Sequence, residues 1–230
     1  MKKYLAIIIL LTPLMNYAQT EFFTKADTFF KAYVDENGGV AYDDIKADRA
    51  SLDELVKLIA DVDFESLETN TQKAYMINVY NIWVIEQVVD LLPLKSPLDN
   101  PKFFNGIEHQ MGGKSYTLDG LEKGKLYQEH PDARLHFALV CAAKSCPPLA
   151  AYAWMPEGLE DHLEQRTKEV LNLDWFVQVG KKTSVSQIFS WYKKDFEKDG
   201  KLIDYISRYR EEATGKKITF YEYDWTLNQQ

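Results

Sequence analysis

NTQKAYMINVYNIWVIEQVVDLL, residues 70–92, is the stretch that decides the fold. A cap at Asn70 or Thr71 and a stop before Pro93 predict one long helix. Apolar and aromatic residues occupy most of its circumference, so it is expected at the centre of the core rather than on its surface. Asn78 and Asn81, three residues apart, share one face, with Tyr75 one turn earlier. Asparagine is a poor interior helix former and is costly to bury unpartnered, so the pair needs a reason among Ile77, Tyr80, Ile82 and Val84. Two readings stay open: the amides hold the backbone of a neighbouring loop, or one of them orients a reacting group or stabilises an oxyanion.

Toward the N-terminus, Phe22, Phe23, Ala26, Phe29, Phe30 and Tyr33 recur at helical spacing and predict a helix ending at Asn37-Gly38-Gly39. Val40 to Tyr42 is expected to be extended. Ser51 with Glu54 suggests a capping box for a helix burying Leu52, Leu55, Leu58 and Ile59. Toward the C-terminus, Pro93, Pro97 and Pro101 mark a loop, and Phe103 to Tyr116 a short hairpin through Gly112-Gly113 or an irregular excursion. Leu118 to Leu126 predicts a short helix weakened by Gly120 and Gly124. Leu135 to Cys141 is expected to be a buried strand, and Pro156 to open a helix running to Leu171. A hairpin follows, Trp175 to Val179 with Thr183 to Val185. Helices near Phe189 to Glu197 and Leu202 to Ala213 precede a last strand from Ile218 to Tyr223. Helices and strands do not alternate regularly, which favours α+β over a doubly wound sheet.

Hydrophobic content of 46% and aromatic content of 13% can fill a substantial core. The net charge of −8 argues against nucleic acid, whose binding rests on clustered Lys and Arg. Lys2 and Lys3, the apolar run Tyr4 to Leu14 and the small Ala18 read as a signal peptide over residues 1–18. No later stretch is long and apolar enough to span a membrane, and lipid anchoring would need a cysteine soon after the apolar run, whereas the first is Cys141. The expectation is a periplasmic or secreted protein with one globular domain over residues 19–230.

RLHFALVCAAKSCPP, residues 134–148, carries both cysteines and one of four histidines. Cys141 is the candidate nucleophile, with Lys144 a nearby cation able to favour a thiolate. On a regular strand, His136 would face away from Cys141, because five residues separate them. A base would then come from His109, His130 or Glu122; His162 lies in a charged stretch and is expected at the surface. The competing reading is a Cys141–Cys146 disulfide, which suits an oxidising compartment and closes a loop worth only about 2 kcal/mol. C-x4-C without a second ligand pair makes a zinc site the weaker idea. Glu122 is by default a solvated carboxylate, and burial alone would promote it to a base. Phe189, Trp191, Tyr192, Phe196, Tyr221, Tyr223 and Trp225 read more simply as core than as a sugar-binding platform.

The motifs together resemble the domain of unknown function 547 family. They are Ile77-Asn78-Val79-Tyr80-Asn81, Thr117-Leu118-Asp119 with Leu121-Glu122, Arg134 to Cys141 running on to Ser145-Cys146-Pro147, Ile188 to Tyr192 with Asp195-Phe196, and Tyr223 to Asn228. They cover nearly the whole chain after residue 18, in the family's order. The resemblance implies that Asn78, Asn81, Glu122 and Cys141 belong to a shared site, and it brings no substrate. Met76 stands where the family usually has Trp, and Lys123 where it usually has His, which puts a base at that position in doubt.

The fold expected is therefore a single α+β domain, its helices packed around a small mixed or antiparallel sheet, loosely like papain or transglutaminase. The leading expectation for function is a cysteine-dependent hydrolase or acyltransferase in which Cys141 attacks and Asn78, Glu122 and His136 assist. Tyr80, Asn81, Lys144 and Ser145 are the expected binding residues. The alternative is a non-catalytic cell-envelope binding or scaffolding domain with a structural disulfide. A small-molecule or peptide ligand is the expected partner, with no metal or cofactor.

Overall fold

The computed structural model describes the backbone of residues 12–230, with side chains from Gln19 onward. The signal-peptide reading falls on residues 1–18, whose side chains lie outside the described residues.

Helix α1, Thr12–Tyr33, buries Phe22, Phe23, Ala26, Phe29 and Phe30 on one side, as its spacing predicts. Its exit turns at Gly38, whose φ of +77° only glycine adopts without strain. Val40 then makes isolated bridges to Val34 and Gln229, and Tyr42 already opens α2, Tyr42–Ala47, so the expected extended segment is shorter. Helix α3, Ala50–Asp61, buries Leu52, Leu55 and Ile59. The Ser51–Glu54 capping box is not made: Ser51 lies inside the helix, and Asp48 accepts the Ala50 N–H instead.

Helix α4, Thr69–Leu91, is the 23-residue centre of the molecule. Between Lys73 and Val89 only Glu86 escapes full burial. α2 and α3 pack against it, and α1 packs on both. It begins one residue before the expected caps, with Glu68 at the N-cap position, and it ends before a cis Leu92-Pro93 bond.

The predicted hairpin is present as β1, His109–Met111, and β2, Lys114–Tyr116, joined through Gly112-Gly113. The predicted short helix is broken in character: α5, Leu118–Leu121, passes into a π-helical turn, Glu122–Leu126, and then α6, Tyr127–Glu129. Thr117 caps it by accepting the Gly120 N–H.

The largest correction concerns Leu135 to Cys141, which is not a strand. Ala133–Phe137 is a 3-10 helix started by Asp132, whose side chain accepts the Arg134 N–H, and residues 138–141 are irregular. The apolar run is buried as expected, yet its backbone partners come from the amide of Asn81 rather than from a neighbouring strand. A short apolar run cannot by periodicity alone reveal which partner it finds.

Helix α7, Leu159–Leu171, starts after Gly158 at φ +71° rather than at Pro156, and packs on that 3-10 helix. Strands β3, Val177–Val179, and β4, Thr183–Val185, form the expected hairpin without Trp175. The predicted helix at 189–197 is divided into α8, Ile188–Trp191, and α9, Lys193–Phe196; the next is α10, Leu202–Ser207, followed by a separate turn at Glu211–Ala213. Strand β5, Ile218–Phe220, pairs parallel with β4 and stops short of Tyr223. Among the described residues the architecture is α+β, with one two-stranded and one mixed three-stranded sheet beside a core built on α4. Among the described residues, no helix is long and apolar enough to cross a membrane.

Candidate functional site

Both asparagines of α4 are spent on backbone. Asn81 donates to the Ala138 carbonyl at 2.9 Å and accepts the Val140 N–H at 3.0 Å. Asn78 donates to the carbonyls of Trp154 at 2.8 Å and Ala74 at 2.9 Å, and accepts the Trp154 N–H at 2.9 Å. Of the two sequence readings, the loop-holding one is therefore what the geometry displays. Asn78 is not among the residues that line the pocket beside Cys141 and Cys146.

The loop that Asn81 pins on one side is clamped on the other by the C-terminal tail. Lys144 N–H donates to Thr226 O at 2.8 Å, Ser145 N–H to Asp224 O at 3.1 Å, and Asn228 N–H to Ala142 O at 3.0 Å. The Ser145 hydroxyl accepts the Asp224 N–H at 2.8 Å. Ser145 is thus a structural residue, and Lys144 is exposed; neither lines the cavity that both were expected to serve. The clamp brings Tyr223 onto the cysteines, its hydroxyl 3.0 Å from Cys146 Sγ, with Trp225 against the Tyr223 ring.

Cys141 and Cys146 are joined in a disulfide. In this state Cys141 carries no thiolate and cannot attack a substrate as a free nucleophile. The bridge lines a cavity of about 480 Å³ whose polar members include Glu122 and His136. The expectation that His136 faces away from Cys141 fails with the strand on which it rested, since both residues line this one space.

Glu122 is buried on the π turn, contrary to its default as a solvated carboxylate. Turns of this kind recur at functional sites, where they redirect a side chain. The Tyr192 hydroxyl donates to Glu122 Oε1 at 2.8 Å. Burial, with the Glu122 charge second, pushes the Tyr80 phenol well above its usual pKa, and the same two causes raise Tyr192. Both phenols therefore stay protonated beside the carboxylate.

The His136 ring is buried between Tyr127, stacked at 4.7 Å, and Tyr192, at 3.8 Å between centroids. Its Nε2 lies 2.8 Å from Asp195 Oδ2, and that hydrogen bond lowers the Asp195 pKa despite the opposing effect of burial. The other base candidates lie elsewhere. His109 is held between Glu86 and Gln87 and stacks on Trp83, while His130 sits in a separate polar depression. His162 is exposed, as expected.

Aromatic residues supply half of the remaining wall, beside Pro101, Asn105, Asp119, Lys123, Leu139 and Ile188. Trp191, 49% exposed, stacks on Trp225 at 5.5 Å, and Tyr223 contacts both. Phe189, Phe196 and Tyr223 are core as read, and Tyr192 and Trp225 pack against it, yet Trp191, Tyr192, Tyr223 and Trp225 also face this space. The available signal was Trp191-Tyr192 preceding Asp195 by one helical turn, which joins aromatic and polar groups in one motif. Of the residues expected to bind, Tyr80 lines the cavity, whereas Asn81 is not among its lining residues and holds the Ala138 carbonyl. Among the described residues, no cluster of three His, Cys, Asp or Glu side chains is placed to hold a metal ion.

The family described as Protein of unknown function, DUF547, matches residues 64–171. That span holds α4, Glu122, His136 and the disulfide; Trp191, Tyr192, Tyr223 and Trp225 lie beyond it. No curated protein and no solved structure matches the chain.

Proposed function

From the premise that the chain belongs to the DUF547 family, we propose that it is an exported ligand-binding protein whose cavity takes a small polyhydroxylated ring such as a sugar. One observation carries this reading: an aromatic wall and a buried carboxylate line the same open space. The apolar C–H face of such a ring packs on Trp191 and Trp225, while its hydroxyls donate to Glu122. Tyr192 and Tyr80 occupy part of the Glu122 accepting capacity and leave the rest for a ligand, since a carboxylate accepts about four hydrogen bonds. Export rests on the charged and apolar start of the sequence. The disulfide accords with an oxidising compartment.

The experiment is a thermal-shift screen of the mature protein against monosaccharides, short oligosaccharides and cyclic polyols. A raised melting temperature for at least one member, abolished in Trp191→Ala, is the expected result. A flat response across the panel would remove the support for this reading.

A cysteine-dependent hydrolase or acyltransferase is the second reading, favoured by Cys141, Glu122 and His136 lining one cavity. It requires the bridge to be opened first. Mild reduction followed by iodoacetamide labelling tests it: an activated Cys141 reacts faster than a free cysteine model peptide at neutral pH. Slower reaction would leave the nucleophile without support.

A further inference from the structure

The two sulfurs of the bridge are not equivalent. Cys146 is 3% exposed, and its Sγ accepts from the Tyr223 hydroxyl at 3.0 Å and from the Cys141 backbone N–H at 3.0 Å. Cys141 is only partly buried, and its Sγ lies 3.3 Å from the same Tyr223 hydroxyl. Both line the cavity. A thiolate attacks the sulfur it can reach and expels the other, and expulsion is faster when the departing sulfur is a better anion. Hydrogen bonds to an ionised group are about twice as strong as neutral ones, so two donors already aimed at Cys146 favour it as the departing sulfur. Burial keeps the Tyr223 phenol protonated and therefore able to donate.

We propose that the Cys141–Cys146 bridge is a thiol–disulfide exchange site, entered through the cavity, with Cys141 the attacked sulfur, Cys146 the leaving sulfur, and a small or peptide-borne thiol as partner. In the first step a thiolate RS⁻ forms a bond to Cys141 Sγ while the Cys141–Cys146 bond breaks and its electron pair stays on Cys146. A second thiolate then attacks the R sulfur of the mixed disulfide and releases Cys141. In total two thiols and the protein disulfide become one disulfide RSSR and two protein thiols, so the partner is oxidised by two electrons and its two protons pass to the cysteines. The loop survives reduction because its other ties, to Asn81 and to Thr226, Asp224 and Asn228, do not run through the bridge.

The partner is a thiol rather than the ring-bearing ligand, so this test and the sugar screen fail separately. Folded full-length protein is reduced with glutathione, quenched with iodoacetamide at intervals and weighed by mass spectrometry. In parallel, Cys146→Ser and Cys141→Ser are exposed to oxidised glutathione. The expected result is that Cys146→Ser takes up glutathione at Cys141 at least about tenfold faster than Cys141→Ser takes it up at Cys146. Tyr223→Phe slows reduction of the intact bridge roughly tenfold. Equal uptake by the two serine variants overturns the proposal, as does a wild-type reduction rate no faster than global unfolding. Should a serine variant fail to fold, the Tyr223→Phe rate decides alone, and no change in it overturns the assignment of the leaving sulfur.

Discussion

The Tyr192 hydroxyl donates to Glu122 Oε1 at 2.8 Å, joining the α8–α9 junction to the π turn across 70 residues of chain. The bond fixes the orientation of a buried side chain. Tyr192→Phe is therefore expected to keep the fold and to weaken sugar binding by roughly three- to tenfold, the net worth of one ordinary hydrogen bond. Affinity measured beside the melting temperature checks this. An unchanged affinity would mean that the carboxylate's orientation does not matter to the ligand.

Asn81→Ala leaves the Ala138 carbonyl and the Val140 N–H without their partner inside the core. Two buried backbone groups so exposed cost about 2–4 kcal/mol together. Denaturant unfolding should show that loss, and Asn78→Ala a similar one through Trp154. Losses below about 0.5 kcal/mol would contradict the loop-holding role.

Acid stability should depend on Asp132. Burial raises its pKa, but the combined hydrogen bonds from Arg134 and Lys73 outweigh that and lower it to about 2. A carboxyl depressed in the folded state stabilises the fold above its unfolded pKa, near the ordinary value of 3.8, and that contribution disappears as pH falls toward about 2. Unfolding free energy measured from pH 5 to 2 should fall less steeply in Asp132→Asn than in the wild type. Parallel curves would show that the Lys73–Asp132–Arg134 cluster is not coupled to folding.

Gly38 holds a φ of +77°, and a Cβ there would lie 2.3 Å from Leu149 N and 2.6 Å from Pro148 Cα. Both obstacles are backbone, beyond the cysteine loop, so they cannot swing aside. Gly38→Ala is expected to destabilise by about 2–4 kcal/mol in chemical denaturation, from backbone strain and overpacking together. A neutral outcome would mean that the turn and the 148–149 segment move freely apart.

Much of the fold was legible because its strongest signals are local. The apolar circumference of residues 70–92, the helical spacing of Phe22 to Tyr33 and the Gly112-Gly113 turn all report the element they form. Leu135 to Cys141 was misread because its apolar residues specify burial, while the choice between a strand neighbour and the Asn81 amide is made 57 residues away. The same distance problem hid the site. Glu122 reads as a surface carboxylate until Tyr192 arrives, and His136 reads as facing away until the strand is replaced by a 3-10 turn. Tyr223 and Trp225 read as core because nothing within their own segment shows that the tail folds back along the cysteine loop.

Isothermal titration of the wild type, Glu122→Gln and Trp191→Ala with the best-binding sugar of the thermal screen decides whether the cavity holds the ligand. A single site is expected in the wild type and at least about tenfold weaker binding in each variant, with melting temperatures essentially unchanged because Trp191 is half-exposed and glutamine preserves the shape of Glu122. Variants that bind as tightly as the wild type would contradict that expectation and place the ligand elsewhere.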